Sequence, residues 1–256
     1  MTLLNKDCKT TDEVIEALEH IIQRSIRTND RAGYFAVLYY LVTCRVKEGI
    51  SRNEFDDSAR MERLDVLFAN RYLEAWHLWK SGKPTTASWA VAFRTATLAP
   101  AIILQHLLLG INAHINLDLG IATAATMKGQ PMSLIKGDFD RINAILKAMV
   151  DKVQDNLGKV SPLMGLLDMY SKTHDELLVG FSIVAAREGA WWFAQELSQK
   201  SGIPYDQCIT NRDKRIAVLA SRLSSPSSFF LKLILKPIRA SEWRTPGASL
   251  QILRAV

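Results

Sequence analysis

Turn-forming residues are scarce in this chain, with 13 glycines and 8 prolines in 256 residues. A many-stranded sandwich needs a turn signal every ten residues or so, and such signals are missing here. Cysteine is scarcer still. Cys8, Cys44 and Cys208 are odd in number and far apart, with no CxxC or Cys/His spacing for zinc. That excludes a disulfide scaffold and suits a reducing, cytoplasmic setting. The opening MTLLNKDCKTTDE lacks a basic stretch followed by an apolar one, so no signal peptide is expected. Acidic residues are nearly absent from the tail. Residues 214–256 carry eight basic side chains and one acidic side chain, Glu242, a balance of +7. The first 213 residues therefore net −1 of the chain's +6. The basic character belongs to one segment, and the whole-chain pI is a poor guide to partners.

What remains is an ordinary globular composition, 48% hydrophobic and 23% charged, patterned for helices. Thr10-Thr11-Asp12-Glu13 reads as a capping box opening a helix whose face is Val14, Leu18, Ile21, Ile22 and Ser25. Asn29 or Asp30 caps an aromatic-rich helix ending near Gly49. A third runs from about Asp57 to Lys80 and a fourth opens at Pro84-Thr85-Thr86. A fifth spans about Ala101 to Met127, and a sixth begins at Gly137-Asp138. A short helix over Pro162–Tyr170, a long one from the second capping box at Thr173–Glu176, and one from Pro204 complete the body. The fold expected is all-α, a single-domain bundle of about eight to ten helices around a buried central helix. Residues 1–225 form the helical domain. Residues 226–256 form a basic, partly apolar segment packed on it or extending from it.

The stretch from Thr95 to Met127 holds one formal charge, Asp118. Its apolar run is broken by Gln105, His106, Asn112, His114, Asn116 and Asp118, so the core of a bundle explains it better than a bilayer. At about 100° per residue, His106, His114 and Asp118 fall on one side. Gln105, Asn112 and Asn116 fall on another, and Gly110 lies inside the first stripe, leaving room for a neighbour or a ligand. His114 and Asp118, four apart, can aim at a common point and so ligate a divalent metal or act as an acid/base pair. No HExxH or ExxH pattern supports them. Buried polar groups must be hydrogen-bonded in any case, so a network without chemistry is the competing explanation.

Other helices offer supporting residues. Glu62 and Asp65 share a helix face with Tyr72 and Trp76. As early-turn acids they also complement the helix dipole. Arg187, one turn from Trp191, needs a carboxylate or an anionic ligand, and Asp118 is the natural partner. Asp138 reads as a normal cap, and His174-Asp175 as part of a capping box. Phe229 to Arg244 interleaves apolar and basic residues, which suits packing on the bundle or, less readily, peripheral contact with a membrane. No nucleic-acid module is present.

The string His106-Leu-Leu-Leu-Gly-Ile-Asn-Ala-His114-Ile-Asn-Leu-Asp118-Leu resembles the signature of an uncharacterised, mostly bacterial family of all-helical domains of unknown function. The likeness extends to Arg60–Asp65, Asp138-Phe139, and Arg187 with Ala190-Trp191, roughly residues 30–200. It implies one domain and singles out the same residues without supplying a mechanism.

The expectation is therefore a pocket with His106, His114, Asp118 and Arg187 as catalytic candidates. Glu62, Asp65, Tyr72, Asn112, Asn116 and Trp191 are its ligand-binding candidates. A divalent metal ion on His114 and Asp118 is the candidate cofactor, and a small molecule the candidate substrate of a hydrolytic or acid/base reaction. The alternative is a non-catalytic small-molecule-binding or structural helical protein. Oligomeric state and substrate are not readable from the sequence.

Overall fold

The computed structural model describes residues 7–98, 101–167 and 182–255, and all regular structure among them is helical. The first helix, α1 (Thr11–Thr28), starts as its sequence dictates. Thr10 Oγ1 accepts from the Glu13 N–H at 3.2 Å, and the Glu13 carboxylate accepts from the Lys9 N–H. Asn29 ends it in the left-handed region at φ 52°, so Asn29 is a C-terminal cap and not the start of the next helix. The next, α2 (Gly33–Ser51), runs past Gly49, which sits inside it. The N-cap of α3 (Ser58–Lys80) is Asp57, whose side chain accepts from the Arg60 N–H. For α4 (Ala87–Leu98) the cap comes from far along the chain. Asp213 accepts from the backbone N–H groups of Ala87 and Ser88 and from the Ser88 hydroxyl.

The central segment is not one regular helix. It runs as α5 (Ile103–Ala113), a π turn over His114–Asp118, and α6 (Leu119–Thr126). The Leu119 N–H donates to the His114 carbonyl five residues back, the mark of a π turn. Here α5 packs on α2 and α4, and α6 on α3. Among the described residues this is the one helical run long and apolar enough to cross a membrane, but 94% of its apolar window is buried inside the protein. A helix covered on all sides by others explains its greasiness.

After a 3₁₀ turn (Met132–Ile135) come α7 (Lys136–Val160), α8 (Ile183–Ser198), α9 (Gly202–Ser224), α10 (Phe229–Ser241) and α11 (Pro246–Arg254). α8 lies along α6, and α9 covers α4 and α5. Eleven α-helices with both ends described stand among the described residues, slightly more than expected, and residues 165–167 are helical as well. The π turn divides the central one, and the tail supplies two. Leu231, Ile238, Leu250 and Leu253 of that tail join the main core cluster, and α10 continues through Pro237 instead of breaking there. Pro100, the capping box at 173–176 with His174, and the later part of the proposed 162–170 helix lie outside the described residues.

Candidate functional site

The π turn places His114 and Asp118 at the centre of the protein, 2% and 0% exposed. Asp118 collects donors from three directions. Trp89 of α4 gives its indole N–H to Oδ2 at 2.8 Å, Arg71 of α3 gives its Nε–H to Oδ1 at 3.3 Å, and His114 Nδ1 lies 3.2 Å from Oδ2. A carboxylate can only accept, so the proton of this last contact sits on the imidazole. Burial holds the His114 pKa below the ordinary histidine value, against the pull of Asp118. The ring is therefore neutral at pH 7, with its lone pair on Nε2. That atom is buried and has no hydrogen-bond partner.

Aromatic rings close the site. Phe68 stacks on the imidazole with centroids 3.6 Å apart and planes within 9°, while Tyr39 and Phe35 meet it edge-on at 4.4 and 5.5 Å. Tyr72, fully buried, packs beside Phe35 and Trp89, so it is part of this wall. The room expected at Gly110, for a neighbour or a ligand, holds a neighbour. A Cβ there would stand 2.3 Å from the Phe35 ring, so glycine is required for this close approach, and the neighbour expected at Gly110 is Phe35.

The other expected members do not gather around His114. His106 is two turns away, about 12 Å along the helix axis. It stacks on Tyr34 at 5.7 Å and borders a shallow surface cleft with Arg31, Trp89 and Phe93. Neither of its nitrogens makes a well-formed hydrogen bond. Burial first, then Arg31 and Arg239, push its pKa down to about 3, and the Ala101 backbone only partly offsets this.

Asn112 and Asn116 face the opposite side. Asn112 donates to the Ile216 carbonyl of α9 and accepts from Asn116, whose own carbonyl accepts from Arg212. Gln105 accepts from the Ile102 N–H at its own helix start and donates to the carbonyls of Leu223 and Ser224. The amide residues thus fasten the central helix to α9.

Arg187 does not pair with Asp118. It donates to Asn143 Oδ1 and the Phe139 carbonyl and lies over the Phe139 ring at 4.4 Å, and burial lowers its pKa to about 10. Trp191 packs on that same ring and beneath Lys136. Asp138 is not the cap expected for its helix, since α7 already starts at Lys136 with Ile135 at the cap position. Fully buried, it accepts from the backbone N–H groups of Asp56 and Asp57 and from Arg60 and Arg141, tying α7 to the α2–α3 loop.

Glu62 makes a marginal contact, at 3.5 Å, with the Thr11 N–H, and Asp65 is 7% exposed. Burial, helped by Glu62 and opposed by Thr11, raises the Asp65 pKa to about 7. Tyr39 lies within electrostatic reach of both Asp65 and Asp118, and burial and these two charges hold its hydroxyl protonated. No group of three or more His, Cys, Asp or Glu side chains able to hold a metal ion exists among the described residues. The donors that sequence reasoning missed are Arg71 and, in that role, Trp89. Nothing in a helix's own sequence says which carboxylate on another helix it will meet.

A family model described as "Family of unknown function (DUF5995)" matches residues 11–226. The chain belongs to that family. The match spans α1 to the end of α9, so it takes in the whole polar centre and the amide fastening and stops before α10. No characterised protein and no solved structure matches the chain.

Proposed function

We propose that the His114–Asp118 centre is a structural lock, and that this domain is a non-catalytic helical module acting through its surface. The observation that carries this reading is the saturation of Asp118. Its oxygens are held by Trp89, Arg71 and His114, from three separate elements, with aromatic rings packed around the imidazole. A substrate would have to displace one of these donors and open the ring wall. The same logic fits Asp138 and Asp213, each of which joins segments far apart in the chain.

A second reading, an acid/base or metal-assisted hydrolase, is favoured by one feature. His114 is a neutral imidazole with a carboxylate on Nδ1 and an unpartnered Nε2, on a π turn, a distortion frequent at functional sites. Stability measurements separate the two. His114→Asn keeps a donor near Nδ1 and deletes Nε2, and His114→Leu deletes both. A structural lock predicts that His114→Leu costs about 1–3 kcal/mol in denaturant unfolding and His114→Asn clearly less. Functional groups are commonly kept at the expense of stability, so the hydrolase reading predicts that both variants are neutral or stabilising. That result would overturn the lock.

A further inference from the structure

Helix α10 is apolar on both sides. Leu231 and Ile238 are buried in the main core, yet Phe229, Phe230 and Leu233 are 73%, 64% and 52% exposed. Helical geometry puts Phe229, Leu233, Pro237 and Phe230 on one outward arc, with Lys232 and Lys236 along its edge, about 160° in all. Both lysines are exposed. Glu242, the only acidic side chain between residues 214 and 256, is turned inward, accepting from the Ile103 N–H and the Ser161 hydroxyl. The outward surface of this segment thus combines bulky apolar groups with positive charge and no carboxylate to balance it.

We propose that the outer face of α10 docks on an anionic lipid bilayer, with Phe229, Phe230 and Leu233 entering the headgroup region and Lys232 and Lys236 meeting the acidic headgroups. Contiguous exposed apolar residues mark contact sites, and a basic rim beside them matches the charge of an anionic membrane surface. An antiparallel two-fold contact between copies would bring the lysine edges of this short face together, so like charge disfavours that packing of a second copy. This inference goes beyond the lock proposed above and stands on different residues.

The test is sedimentation of the full chain with phosphatidylcholine vesicles, with and without phosphatidylserine. Binding is expected with the anionic vesicles, weakening as salt rises. Two variants probe the face separately, Phe229→Ser/Leu233→Ser and Lys232→Glu/Lys236→Glu. All four positions are exposed, so circular dichroism should show both variants folded. Each is expected to weaken binding roughly tenfold or more. Absence of binding to anionic vesicles at low salt would overturn the proposal, as would binding that neither variant changes. A concentration-dependent dimer in light scattering that both variants dissolve would assign the face to a second copy instead.

Discussion

Asp118 and Asp65 are both buried carboxylates within electrostatic reach of Tyr39, and they differ in the partners around them. Asp118 has an indole, a guanidinium and an imidazole around it. Asp65 has one oxygen with no partner at all, and burial pushes its pKa to about 7. The difference lies in the neighbours, since exposure is 0% for one and 7% for the other. Burial sets the cost of a charge, and the donors around it decide whether the charge is kept. Asp118 therefore draws α3, α4 and the π turn together through its hydrogen bonds. Asp65, with its pKa raised to about 7 and one oxygen unpartnered, has no comparable set of donors around it.

Removing Asp118 should have the largest effect. Asp118→Ala leaves the Trp89 N–H without its acceptor and Arg71 without its counter-charge. The expected loss is about 3–5 kcal/mol in denaturant unfolding, the range for breaking a buried pair. A loss under about 1 kcal/mol would mean that the three donors find other partners and that Asp118 is no lock.

Asp65 sharpens the contrast through pH. Its folded pKa of about 7 stands above the ordinary 3.8. Between these values the folded state binds more protons than the unfolded one, so stability falls as pH rises from about 4 to about 7 and is flat above. The full effect is at most about 4 kcal/mol. His106 and His114 act oppositely. Their pKa values are lowered in the fold, so their contribution is lost as pH falls below the ordinary histidine value. Comparing Asp65→Asn with the parent chain cancels the histidines. The variant should be the more stable by a few kcal/mol at pH 8, with the gap closing toward pH 4. A gap that does not change with pH would refute the raised pKa.

The fold was legible in this chain because its signals are local. Thr10 and Asp57 cap the helices they precede, and the scarcity of glycine and proline left little besides helices to build. The polar helix was legible too, since Gln105, Asn112 and Asn116 do face a different neighbour from His114. What could not be read was pairing across the chain. Charge alone points Arg187 at Asp118, whereas Arg71, 47 residues before Asp118, takes that place. The spacing of His106 from His114 gave a shared direction but also about 12 Å of separation along the axis, too far for one site. Gly110 does make room for a close neighbour, but a sequence shows only the missing side chain and not that the Phe35 ring is what fills it.

The smallest effects should come from dividing the Asp118 interactions among its donors. Trp89 is buried, so Trp89→Phe keeps most of the ring packing and removes one charge-assisted hydrogen bond from a dry environment. About 1.5–3 kcal/mol is expected. The Arg71 side chain is 28% exposed and its contact is long, at 3.3 Å. Water can replace much of what it gives, so Arg71→Met should cost under about 1 kcal/mol. If Arg71→Met proves the costlier of the two, the charge on the guanidinium outweighs the buried indole. Asp118 would then be one half of an ion pair reaching toward solvent, and access to it from the Arg71 side would become the route by which a ligand could enter.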